Sequence, residues 1–150
     1  MSTDVGKKVL LLEAQSIQKM AQRIGKNFQT AVALMHRTKN PVILIGMGKP
    51  AFIADKISAS LASTGTSSFT LHPADALHGD IGRIKKKSVV LLLSNSGETE
   101  ELVRLLPILK ELKCSLIAIT GNTKSYVAKF SDVTLDTSVV SEAKPLDVAP

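Results

Sequence analysis

Leu91-Leu92-Leu93-Ser94-Asn95-Ser96-Gly97-Glu98-Thr99-Glu100-Glu101 is the stretch on which the reading of this chain turns. Residues 89–93 form an unbroken aliphatic run, the pattern of a strand covered on both faces. The next six residues offer Ser94, Asn95, Ser96 and Thr99 as hydrogen-bonding groups for an anion, and Gly97 for a backbone angle other residues resist. Leu102, Leu105, Leu106 and Leu109 then recur at helical spacing over residues 99–112, with Pro107 expected to kink or break the helix. A strand that ends in a polar turn at a helix N-terminus is a phosphate site by geometry, because free N–H groups and the helix dipole face the ligand. An ordinary turn with Thr99 as N-cap accounts for the same residues. The stretch alone leaves both readings open.

The same strand, turn and helix recur on either side. Residues 42–45 are apolar, 46–50 form a glycine turn, and a helix follows to Gly65 with Pro50 in its first turn. Residues 115–119 read as another buried strand, 120–123 as a turn and 125–130 as a short helix. Residues 67–72 make a short strand ended by Pro73, and 133–135 a last one. Before them, apolar residues from Val9 to Met35 keep steps of three to five, which predicts one long amphipathic helix over 5–37. Residues 74–83 read as a loop with one helical turn, and 139–150 as a loop with two prolines. This alternation predicts an α/β fold: a doubly wound, five-stranded parallel sheet in three αβα layers. Ligands in such folds sit beyond the carboxyl ends of the strands, and three polar turns, at 46–50, 94–99 and 120–123, meet there.

Composition narrows the function. The chain has 150 residues, 44% hydrophobic and 21% charged, as a soluble single domain would. No run of eighteen apolar residues spans a membrane, the polar N-terminus is no signal peptide, and Cys114 has no internal disulfide partner. A cytoplasmic protein with no membrane partner is the expectation. The formal charge is +6, yet the basic residues are scattered and aromatics are only 3%, which argues against nucleic acid. The dense run at 83–87 reads as a solvated turn, and a small anionic substrate is the economical account of the charge.

Gly46-x-Gly48 lacks the third glycine of a dinucleotide fingerprint, Ala51 standing there, and His72 rather than an acid ends the second strand. No P-loop spacing and no Cys/His metal cluster is present, so neither cofactor nor metal is expected. Lys49 lies in a strand-to-helix turn, where it can neutralise a phosphate or polarise a carbonyl, or is simply one more surface lysine. Glu98, Glu100 and Glu101 are all favoured by the helix dipole, and any one of them could serve as a base in a dry site. His78, in His78-Gly79-Asp80, is a stronger functional candidate than His72, while His36 suits a helix C-terminus.

Taken together, Gly46-Met47-Gly48-Lys49, Leu61-Ala62-Ser63-Thr64-Gly65-Thr66, His72-Pro73, His78-Gly79-Asp80, Ser94-Asn95-Ser96-Gly97-Glu98-Thr99, Ile119-Thr120-Gly121-Asn122 and Glu142-Ala143 through Pro145-Leu146 resemble the sugar isomerase (SIS) domain. Within it they are most similar to the D-arabinose-5-phosphate isomerase family. The resemblance implies a flavodoxin-like fold that binds a phosphosugar through Gly48, His72, Ser94, Asn95, Ser96 and Thr99. It implies active-site positions at Lys49, Glu101, Glu142 and His78, the last near a subunit interface of a homotetramer. The implied reaction interconverts D-ribulose 5-phosphate and D-arabinose 5-phosphate through an enediol, toward the Kdo sugar of lipopolysaccharide, with no cofactor. Residues 1–150 then form a single SIS domain expected to lack a final helix, with no CBS pair. Pro50-Ala51 stands where the family has Ser-Gly, and Lys144 and Asp147 where it has cysteine and glycine. These departures admit a second reading, a catalytically inactive sugar-phosphate-binding SIS regulator. A hexulose-phosphate isomerase would share the fold but not the Glu-Ala-x-Pro-Leu stretch.

Overall fold

The computed structural model of the protein describes residues 2–142. Five parallel strands, β1 (Val42–Gly46), β2 (Ser68–Thr70), β3 (Val89–Leu93), β4 (Ser115–Thr120) and β5 (Val133–Asp136), form one sheet in the order β2-β1-β3-β4-β5. The doubly wound sheet expected from the alternation is therefore present, and its switch point lies between β1 and β3. β3 is central, registering Val90 against Ile43 of β1 and Leu116 of β4. β1 and β3 are buried along their whole lengths, which is what their unbroken aliphatic runs require.

Alternate residues of each strand face opposite layers. Ile43, Ile45, Val90, Leu92, Leu116 and Ala118 join Leu102, Leu105, Leu106 and Leu109 of α5 (Glu100–Glu111) and Val127 of α6 (Tyr126–Phe130). Val42, Leu44, Val89, Leu91 and Ile117 face the other way, toward Ala31 of α2 (Lys26–Arg37) and Ala54 of α3 (Lys49–Ser63). The four α5 leucines are fully buried, so the helical spacing read in the sequence is the stripe that faces the sheet.

Three expectations need correction. Residues 5–37 are two helices, α1 (Ser2–Ala21) and α2, because the chain turns at 22–25. Arg23 and Ile24 close the end of α1 onto Met20 and Ala21, and extended Gly25 stands at the α2 N-cap, where a helix interior would disfavour it. Apolar steps run on across the break because both helices carry apolar faces. Residues 74–83 hold more than one turn of helix, namely α4 (Pro73–Leu77) and a 3-10 segment, Asp80–Arg83. Pro107 leaves α5 a single element from Glu100 to Glu111; its side chain is on the exposed side. His36 does lie in the last turn of α2. Cys114 is buried, and burial outweighs the Ser88 backbone hydrogen bond to push its thiol pKa up, which makes it an unreactive core residue. Among the described residues no helix is long and apolar enough to cross a membrane. Ala143, Lys144, Pro145, Leu146 and Asp147, with the rest of the C-terminal loop, lie outside the described residues.

Candidate functional site

The turn after β3 is built around one buried hydroxyl. Ser94, 3% exposed, accepts the Gly97 N–H at 3.0 Å and pairs with the Thr99 hydroxyl at 2.8 Å. Thr99 does stand at the α5 N-cap, but its side chain makes no capping bond. The plain capped turn is therefore not what forms. The first helical bond runs from the Val103 N–H to the Thr99 carbonyl, so the N–H groups of the first turn stay open at a positive helix end. Ser96 and Asn95 are exposed on the same turn, with Ser96 Oγ accepting the Glu98 N–H at 3.2 Å.

A second turn, after β4, holds the first in place. The Asn95 carbonyl accepts the Gly121 N–H at 3.0 Å and the Thr120 hydroxyl at 3.2 Å. The Gly97 carbonyl accepts the Val127 N–H at 3.1 Å, and Glu98 Oε1 accepts the Tyr126 N–H at 2.9 Å. Gly97 has φ +67°, and a Cβ there would collide with the Ser125 side chain. Ser125 in turn caps α6 by accepting the Ala128 N–H. Of the three neighbouring glutamates, Glu98 is thus engaged by α6, Glu100 is exposed, and Glu101 is half-buried in the first turn of α5.

The turn after β1 faces this pair across the switch point. Gly46 allows the chain to double back, since a Cβ would lie 2.9 Å from the Pro50 carbonyl group. Gly48, at φ 65°, occupies the α3 N-cap without a side-chain cap, and Lys49 opens that helix exposed to solvent. Pro50 falls in the first turn, where its missing N–H is harmless. His72 joins Gly46, Ala51, Asp55 and Thr70 around a small cavity of about 120 Å³. Gly48, Lys49, His72, Ser94, Asn95, Ser96, Thr99 and Glu101 thus all lie at the carboxyl ends of β2, β1 and β3.

Two expected site residues stand apart. His78 is the exposed C-cap of α4, its N–H bonded to the Ala74 and Asp75 carbonyls, with no side-chain hydrogen bond among the described residues. Glu142 lines a groove of about 380 Å³ with Leu12, Ser16, Ile17 and Met20 of α1 rather than the turns at β1 and β3. Sequence reasoning missed Ser125, whose signal was its place before a short helix, and Asp136 at the end of β5. Burial would raise the Asp136 pKa, but hydrogen bonds from Ser138 and the Arg23 guanidinium at 3.4 Å outweigh it and hold the carboxyl below its ordinary value. Among the described residues no group of three or more His, Cys, Asp or Glu side chains could hold a metal ion.

The sequence matches a known family. The SIS domain pattern covers residues 35–150. The chain belongs to the SIS domain family. This SIS domain is 50% identical over 139 residues to the arabinose 5-phosphate isomerase KdsD of Pseudomonas aeruginosa, covering 93% of this chain and 43% of that protein. It is 44% identical over 145 residues to the KdsD of Escherichia coli K12, covering 97% and 44%. A solved Escherichia coli CFT073 protein in complex with arabinose 5-phosphate superposes with a TM-score of 0.84 at 35% identity, covering 100% of this chain and 81% of that one. The SIS domain thus spans less than half the length of these curated relatives.

Proposed function

We propose that this SIS domain is the isomerase domain of an arabinose-5-phosphate isomerase, interconverting D-ribulose 5-phosphate and D-arabinose 5-phosphate. The observation that carries the reading is the open N-terminus of α5, where Thr99 bonds Ser94 instead of capping the helix. A phosphate dianion there meets unpaired N–H groups, the helix dipole and the exposed Asn95 and Ser96 side chains. Lys49, at the uncapped start of α3, adds a cation from the opposite side of the crevice. The arabinose 5-phosphate isomerase relatives and the neighbour solved with arabinose 5-phosphate support the choice of sugar.

With the phosphate held, aldose–ketose isomerisation needs one proton moved between C1 and C2. Glu101, one residue into α5 and half-buried, is the assigned base. It removes the C2 proton of the aldose to give an enediol and returns it at C1. Lys49 or His78 assists at oxygen, His78 reaching the site of a neighbouring subunit, since within its own chain it stands apart from the turns. The hydrogen stays within the substrate, so the reaction calls for no redox cofactor. Glu142 belongs to the same set but acts from the segment beside α1.

The assembly that goes with this reading is a cytoplasmic homotetramer. Leu10, Leu11 and Ile17 of α1 and Phe52 and Ile53 of α3 are exposed, Phe52 at 74%, and suit coverage by further copies. A coupled assay on wild type and Glu101→Gln, beside calorimetric binding of D-arabinose 5-phosphate, tests the function. Turnover lost with binding kept is the expected result. Tight binding by the wild type without turnover would overturn the enzyme reading and leave the sugar-phosphate regulator.

A further inference from the structure

The basic residues do not gather at the phosphate crevice. In a parallel sheet the residues before each strand share the end opposite the site, and before three of the five strands here they include lysines. Lys39 precedes β1, Lys85, Lys86 and Lys87 precede β3, and Lys113 precedes β4, three strands adjacent in the sheet. All five side chains are exposed. The turns are bonded to one another: Asn40 Nδ2 donates to the Lys86 carbonyl at 3.2 Å and the Lys87 N–H to the Leu112 carbonyl at 3.0 Å. The acidic neighbours are Glu111, at the end of α5, and Asp132, already paired with Lys110 at 2.9 Å.

Helix dipoles explain part of this. Lys113 lies just past the C-terminus of α5, where a cation is favoured. They do not explain Lys85, Lys86 and Lys87, which belong to no helix. Nor do they explain why Lys87 and Lys113 keep side chains at φ 63° and 55°, where glycine or asparagine would relieve the backbone. Five like charges on bonded turns repel one another, and a partner of opposite charge removes that repulsion.

We propose that this lysine face docks the domain onto an anionic lipid surface. Lysine supplies point charges, and of the flanking arginines, whose guanidinium forks could recognise nucleic-acid phosphates bidentately, Arg83 is paired with Asp80 and lies over the Phe69 ring, leaving Arg37 in the last turn of α2. No aromatic residue lies among these turns to stack on a base, and the apolar Ile84 and Cys114 between the lysines are buried. Such a face is attracted to mobile anionic headgroups without inserting into the bilayer. The five residues of β3, at about 3.3 Å each, separate it from the Ser94 turn by about 17 Å, so the docked domain keeps its crevice open to solvent.

Vesicle flotation of the full chain decides the matter, with phosphatidylcholine vesicles and with vesicles containing about 30% phosphatidylglycerol. Binding is expected only to the anionic vesicles, and lost on raising salt from about 50 mM to about 0.5 M. Lys85→Gln with Lys86→Gln, at about a tenfold-per-1.4 kcal/mol conversion of two surface lysines, should weaken it about 30-fold with an unchanged melting curve. Equal binding to neutral vesicles, or retention by a folded double variant, would overturn the proposal. So would displacement from the vesicles by duplex DNA at an equal concentration of phosphate, which would assign the face to nucleic acid.

Discussion

Gly97→Ala tests whether the turns after β3 and β4 form one unit. At φ +67°, an alanine costs roughly 1–2 kcal/mol through the backbone alone. The added Cβ also meets Ser125 Oγ and Cβ and lies 3.1 Å from Thr120 Oγ1, so Ser125 must move. Ser125 caps α6, and losing a cap costs about 1 kcal/mol. The sum is about 2–3 kcal/mol, a large share of the ~5–15 kcal/mol that holds a domain folded. Gly65→Ala is the internal control. Gly65, just past the end of α3, also has a positive φ, +88°, but open space around its missing Cβ, so it should lose only the backbone part. Urea denaturation of both variants gives the difference, expected at about 1 kcal/mol. Adding Ser125→Gly to Gly97→Ala should return part of the loss, because the two are coupled through contact. If Gly97→Ala were no worse than Gly65→Ala, the two turns would not be packed as described.

Ser94→Ala should cost about 1–3 kcal/mol, since it strands the buried Gly97 N–H, and should weaken D-arabinose 5-phosphate binding in calorimetry. Leu105→Ala, at a fully buried position of α5, should cost about 2–5 kcal/mol in urea denaturation through the cavity it leaves. The Asp136 pKa lies below its ordinary 3.8, so its contribution to stability is present above that value and is lost as pH falls through the lower, folded value. Arg23→Gln should therefore lower stability in urea denaturation slightly at pH 6, by under about 1 kcal/mol for so open a pair, and the gap to wild type should narrow below the ordinary value without closing, since Arg23 also donates to the Ser138 carbonyl at 2.6 Å.

The fold was legible because its strongest signals are forced by burial. Strands covered on both faces must be aliphatic throughout, and residues 42–45 and 89–93 read so without ambiguity. The α5 leucines must repeat every three or four residues to reach the sheet. The same logic explains the miss at α1 and α2. Their apolar residues are mostly solvent-exposed, so the periodicity reports two surfaces awaiting cover rather than one continuous helix. The 74–83 segment was underread because α4 is only five residues long, too short for its period to register.

The candidate site was legible as a set of converging turns but not as a division of labour among their residues. Ser94, Ser96 and Thr99 are alike on paper, yet Ser94 is only 3% exposed, so its hydroxyl turns inward and draws the Thr99 side chain away from the helix end. That inward bond is what leaves the α5 N-terminus open, so a residue that does not face solvent decides whether those N–H groups are free. Likewise the dipole favours Glu98, Glu100 and Glu101 equally in sequence. What separates them is α6, whose Tyr126 N–H, 28 residues downstream, takes Glu98 and leaves Glu101 in the first turn of α5. Neither distinction has a local signature, because each depends on which distant backbone group arrives beside the turn once β3 and β4 pair.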